Sequence, residues 1–240
     1  MSFIEQLNLM VDDLKSNPDI HVAHYKVLPP DVEAIAEVEE ELGYTLDTSI
    51  SDFYKSCGGI QLLWLYKDNE DFEAKVKNIA EVSAQDTLLD FGMFYGGLGL
   101  LSDDSSWDDL ISDGVIMIPP IKTTFLDQSY NDNSDEYGID ADMFEPYELF
   151  EDFDSLKIRK FELFDISTAI SFILDGSAYP HMIAASDNNE YGNSAVIYFK
   201  EYLNLLLHTK GARKRGHEFL LSSDFEYAKI SNEDIENLEF

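Results

Sequence analysis

Apolar residues recur at helical spacing in some windows of the chain and run together in others, and this contrast predicts most of the elements. Between residues 2 and 16, Phe3, Ile4, Leu7, Met10, Val11 and Leu14 fall on one face, which predicts a helix ended by Asn17-Pro18-Asp19. HVAHYKVL at 21–28 reads as a weak strand or extended connector closed by Pro29-Pro30. A second helix follows. Pro30 suits its first position, Asp31 and Glu33 sit at its positive end, and Val32, Ile35, Val38 and Leu42 form a narrow apolar stripe. Gly43 supplies the left-handed stop. Asp47 or Thr48 caps a third helix, in which Leu46, Ile50, Phe53, Tyr54 and Cys57 share a face, and Gly58-Gly59 ends it. IQLLWLY at 60–66 reads as a buried strand.

Residues 67–87 have a helical pattern through Phe72, Val76, Ile79 and Ala80, whereas the glycine-punctuated run 88–101 fits strand or turn. GVIMIPPI at 114–121 reads as a strand ended by Pro119-Pro120. Residues 127–155 are dense in Asp, Asn, Glu and Tyr and suit a long acidic loop or a short helical insertion. KIRKFELF, ISFIL and PHMIAAS read as strands. SAVIYFKEYLNLLLHTK at 194–210 carries the strongest helical periodicity, followed by the basic KGARKRGH and a mixed tail whose last ten residues are expected to fray. With no internal repeat and no low-complexity linker, residues 1–240 read as a single domain, with 67–155 as an acidic insertion or a divergent middle section.

Composition changes this picture in one respect. A hydrophobic content of 45 %, with 16 Phe and 13 Tyr, supplies a core, so the chain is expected to be globular. The formal net charge is −32, and it is uneven. Residues 1–66 hold 12 acids and 3 bases, residues 67–155 hold 23 and 4, and residues 156–240 hold 13 and 9. Such a field repels nucleic acid and anionic membrane, and it favours a basic partner. It equally suits plain solubility. The single Cys57 leaves no internal disulfide or four-cysteine zinc site. The first residues lack the basic and apolar segments of a signal peptide, and the most apolar run, 91–101, is about half a bilayer span. A soluble cytoplasmic protein is expected.

Catalytic and metal chemistry finds little support. Asp140 and Asp142 form a D-x-D that could hold a divalent cation in a transferase, but chance pairs are expected in a chain this rich in Asp. The surrounding NDNSDEYGIDADMFE fails as a calcium loop: with Gly138 at the sixth position, Tyr137 and Phe144 occupy ligand positions. His21 and His24 lack a Cys or carboxylate at ligand spacing, and His181 has no G-x-S-x-G nucleophile to serve. Cys57 reads as a small core residue. Gly96, Gly97 and Gly99 lack the rest of a dinucleotide or P-loop motif. The basic cluster Lys210, Arg213, Lys214 and Arg215 suits a helix C-terminus better than a nucleic-acid patch. No catalytic residue, metal ligand or cofactor is assigned.

The order helix, Gly, capped helix, Gly-Gly, strand, with a late YFKEYL helix, resembles the SUKH superfamily of Smi/Knr-like cell-wall regulators and bacterial toxin-immunity proteins. Glu39, Leu42 and Gly43 match its E-x-x-L-G helix end; Leu46, Phe53, Tyr54, Gly58 and Gly59 match the second half of its opening motif. Phe199, Tyr202 and Leu203 match the closing helix. Asp47 stands where that pattern has proline, and the match spans 30–66 and 156–209. The resemblance implies an α+β fold: a mixed, mainly antiparallel sheet flanked by helices, non-enzymatic, working by binding another protein. In the bacterial branch that partner is commonly a toxin domain, often a nuclease.

The expected function is therefore an immunity protein that binds and neutralises a basic toxin domain, with no nucleic-acid or membrane partner. Residues 103–154 hold 16 acids against the single base Lys122, interleaved with aromatics, and supply the expected interface. Its residues are Asp103, Asp104, Trp107, Asp108, Asp109, Asp132, Asp135, Glu136, Asp140 and Asp142. The alternatives are a regulatory scaffold of the cell-wall type and a metal-dependent transferase using Asp140 and Asp142.

Overall fold

The computed structural model describes residues 1–84, 113–127, 157–163, 168–186, 194–212, 216, 219–222, 224 and 228–238. Helix α1 (Phe3–Ser16) starts at a capping box, with the Ser2 hydroxyl accepting from the Glu5 N–H and the Glu5 carboxylate accepting from Ser2 N–H. It buries Leu7, Met10, Val11 and Leu14, four of the six residues that its spacing singles out. The weak strand signal after it is a full strand, β1 (Ile20–Leu28).

The hairpin of α2 (Val32–Leu42) and α3 (Thr48–Ser56) is built from local chemistry. Asp31 is the N-cap of α2, accepting from Ala34 N–H at 3.1 Å, so Pro30 lies before the helix and not at its first position. Gly43 closes it at φ +79°, a left-handed conformation that glycine adopts without steric cost. The Glu39 carboxylate reaches over the turn and accepts from Leu46 N–H at 3.0 Å. Asp47 caps α3, accepting from Ser49 N–H at 2.7 Å. Aspartate thus does the capping where the resembled pattern has proline. At the end of α3, Gly58 passes so close to β1 that a Cβ there would lie 2.1 Å from the Pro29 carbonyl oxygen.

Strand β2 (Gly59–Tyr66) is buried along all but its last residue and lies between β1 and β3 (Gly114–Ile118), antiparallel to both. Helix α4 (Phe72–Ala84) packs on β1. Pro119-Pro120 does end β3, as the sequence predicts, but a short helix α5 (Ile121–Leu126) comes at once after it. Part of the 67–155 segment therefore lies in the first sheet and the core.

The second sheet runs β4 (Lys157–Leu163), β5 (Thr168–Leu174), β6 (His181–Ser186) and β7 (Ile197–Tyr198), antiparallel throughout. The helix expected over 194–210 is shorter at its start. Val196 and Ile197 are extended, pairing with Lys229 and with Met182 of β6, and α6 (Phe199–Thr209) begins only afterwards. A β-branched pair beside an open strand edge gains more from pairing than from one more helical turn. The tail does not simply fray: a Ser231 capping box starts α7 (Asn232–Glu236), and Asn232 accepts from Asn204 of α6 at 2.7 Å.

The fold is α+β, mainly antiparallel, with its strands divided between two sheets where one was expected. One apolar cluster joins both sheets to α1, α2, α3 and α6. At its centre the rings of Phe53, Phe161, Phe172 and Phe199 meet at centroid distances of 5.2–6.0 Å, mostly edge to face.

Candidate functional site

The ten acids and aromatics expected to form the interface, from Asp103 to Asp142, all lie outside the described residues, as does the D-x-D pair. The fold-motif residues lie inside, and each has a packing or backbone task. Phe53 and Tyr54 are buried, and the Tyr54 hydroxyl sits 3.3 Å from the Pro119 carbonyl oxygen and 3.1 Å from Thr124 Oγ1. Leu46 is buried, Leu42 half-buried, and Glu39, Gly43, Gly58 and Gly59 shape the turns and strand approaches. Phe199 and Tyr202 of α6 pack against the same aromatic cluster as Phe53.

Two features of the described residues carry polar groups in unusual surroundings. The first is internal. Glu162 of β4 has 0 % of its surface exposed; its Oε2 accepts from the Tyr202 hydroxyl, and Oε1 has no hydrogen-bond partner. Burial pushes its pKa up to about 8, against the opposing pull of the Tyr202 hydrogen bond. The same burial, with Glu162 alongside, holds the Tyr202 phenol well above its ordinary value. At neutral pH this carboxyl is mostly the neutral acid. It is fully buried and hydrogen-bonded to Tyr202 of α6, so its surroundings are those of a folded core.

The second feature is a surface cleft of about 650 Å³, between the N-termini of α3 and α6 and the turn before β6. That volume is within the ~300–1,000 Å³ usual for ligand pockets. Its floor is apolar, with Ile50, Phe199 and Pro180 buried. Its rim holds Asp47 and Asp52 from α3 and Lys200 and Glu201 from α6. Two tyrosines complete the wall. Tyr179 is 64 % exposed. Tyr198 carries the Lys229 ammonium 3.5 Å from its ring centroid and stacks on the His181 imidazole at 4.8 Å. A smaller groove of about 350 Å³ lies between α2 and α3, lined by Val32, Ile35 and Ala36, and Thr48 borders both. The start of α3 thus stands between two hollows.

The remaining candidates read from the sequence have structural tasks. His24 Nε2 lies 3.1 Å from Gln61 Oε1, and burial lowers its pKa. His21 meets the Phe72 ring edge-on at 5.6 Å. Cys57 is buried, and burial pushes its thiol up to about 11, far from a reactive thiolate. Lys210 is the left-handed C-cap of α6, and its ammonium pairs with Asp13 at 2.5 Å; Arg213, Lys214 and Arg215 are outside the described residues. Among the described residues no group of three or more His, Cys, Asp or Glu is arranged to hold a metal ion, and no helix is long and apolar enough to cross a membrane.

Sequence reading missed the cleft as a site. It takes Asp47 for a helix cap and Phe199 for a packing residue, and both assignments are correct as far as they go. The cleft exists because residues 47–52, 179–180 and 198–201 converge, and no local spacing connects three segments so far apart in the chain. The one readable hint was DGSAYP, a strand connector that places a tyrosine where a turn exposes it.

Comparison of the chain with family models, with curated proteins and with solved structures finds no match.

Proposed function

We propose that this chain is a non-enzymatic protein-binding module, an immunity protein of the SUKH kind that acts in the cytoplasm on a basic bacterial toxin domain, a nuclease. It works by electrostatic attraction and occlusion, laying carboxylates over a cationic nucleic-acid cleft. The observation that carries this reading is the distribution of charge: 23 acids against 4 bases in residues 67–155, within a net charge of −32. A cationic partner meeting such a segment associates faster by ~10–10³ at low salt. The α2–α3 hairpin adds to the same field, with eight acids and one lysine in residues 31–56.

The test is to co-purify the chain with the C-terminal domain of the protein encoded beside it. Asp103, Asp104, Asp108 and Asp109 are then reversed to Lys together. The expected result is a slower association rate and loss of toxin inhibition. Unchanged binding after four reversals would remove the acidic segment from the interface.

A further inference from the structure

Beyond the acidic segment, we propose that the cleft between the starts of α3 and α6 is a specific pocket for one arginine side chain of a basic protein partner. This deepens the reading above and rests on it for the partner's charge, but it concerns a different part of the molecule. Three properties of the cleft point to a long cationic side chain. Its floor of Ile50, Pro180 and Phe199 suits an aliphatic stem. Tyr179, 64 % exposed, is a wall aromatic on which a guanidinium could stack. The rim holds three carboxylates, Asp47, Asp52 and Glu201, against Lys200.

A stand-in is already present beside it. The Lys229 ammonium rests 3.5 Å from the Tyr198 ring centroid, so a cation over a wall tyrosine is an arrangement that the protein itself makes. Lys229 also shows why the guest should be arginine. A planar guanidinium can stack on Tyr179 and still offer hydrogen bonds in its plane to carboxylates, which an ammonium cannot do from one position. Asp47 caps α3 and Glu201 accepts from Asn232, which makes Asp52 the rim carboxylate for this. It is exposed, and its intramolecular partner is Lys55 at 3.7 Å, a weak pair that a guest can displace.

One opposing term comes from α6, whose first turn presents backbone N–H groups and whose N-cap residue Tyr198 makes no side-chain capping bond. An anion would favour that end. Glu201 lies within that turn and offsets it, and Asp47 does the same for α3. The two helix starts are thus already supplied with acids, and Asp52, outside both first turns, is the carboxylate left to meet the guest.

The experiment titrates the blocked tripeptide Ac-Gly-Arg-Gly-NH2 into the full ¹⁵N-labelled chain at about 0.15 M salt, with the citrulline and glutamate tripeptides as controls. Saturable amide shifts confined to 47–52, 179 and 198–201, seen with arginine and with neither control, support the pocket. Tyr179→Ala should lower the affinity roughly 2–5-fold, and Asp52→Lys on the order of tenfold or more. Both side chains are exposed, so core methyl spectra should not change. Shifts that never saturate, or that spread along 31–41, mean general attraction to an acidic protein and overturn the proposal. Binding of the glutamate peptide alone overturns it in favour of the α6 N-terminus. The two readings fail separately. Saturable arginine binding with no protein partner recovered sinks the module and leaves the pocket. A recovered partner indifferent to Asp52→Lys and Tyr179→Ala sinks the pocket and leaves the module.

Discussion

The core around Glu162 and the surface cleft both draw on the first turn of α6. Tyr202 faces the core, Phe199 belongs both to the core and to the cleft floor, and Lys200 and Glu201 line the cleft rim. Helix α3 is divided in the same way, with Phe53 and Tyr54 inward and Asp47 and Asp52 outward. Carboxyls in contact with the same helix or its neighbour therefore follow opposite rules. Glu162 is buried against aromatics and holds its proton near neutrality. The rim carboxylates stand in or near water, where their field is screened but open to a partner. Proximity to a shared helix says little about a charged group; the number of water molecules it keeps decides how it behaves.

The contrast should be plainest in stability. Phe161 is fully buried and touches Phe53, Phe172, Phe199 and Tyr202, so Phe161→Ala should cost ~3–5 kcal/mol. Denaturant unfolding measures this directly. The cleft substitution Tyr179→Ala, measured alongside, should stay within about 0.5 kcal/mol. Similar losses from both would mean that the cleft wall is part of the core.

A pH series separates the two kinds of carboxyl further. The folded pKa of Glu162 is raised from 4.5 to about 8, so folding retains a proton that the unfolded chain releases. The stability linked to this group is complete below pH 4.5 and is lost as pH rises to about 8, with a slope of up to ~1.4 kcal/mol per pH unit. Glu162→Gln, which is neutral throughout, should flatten the profile over that window. Parallel profiles for wild type and Glu162→Gln would show that the acid ionises without cost and that water reaches it.

The smallest effect concerns the two aspartates of α3. Asp47 caps the helix through Ser49 N–H, and Asp47→Ala should cost about 1 kcal/mol. Asp52 makes an exposed pair with Lys55, and Asp52→Ala should cost less than about 0.5 kcal/mol. Thermal melts at matched salt distinguish them. The order would reverse if Asp52 were a structural residue and not a free rim charge.

The first third of the chain was the most legible. Its elements are set by signals a few residues apart: the Ser2–Glu5 box, the Asp31 and Asp47 caps, and the Gly43 stop. Reading failed where pairing partners are distant. Val196 and Ile197 continue a helical pattern, yet β6 and Lys229 draw them into extended conformation. Helix α5 was hidden because a proline pair reads as the end of a strand and not as the start of a helix. The candidate site was less legible still. Charge pattern pointed to the acidic middle segment, while the cleft needed three distant segments to be folded against one another.

What the order of residues settled here is local: caps, stops, apolar faces, and an uneven charge that biases any encounter towards cationic partners. These depend on hydrogen bonds and dipoles within a turn or two of chain, or on a simple sum of charges. The assembled fold alone decided which carboxyl lost its water, which strand edge captured 196–198, and that two helix starts enclose a hollow. Each of those depends on desolvation and packing between residues far apart in the chain, which spacing along a sequence does not encode.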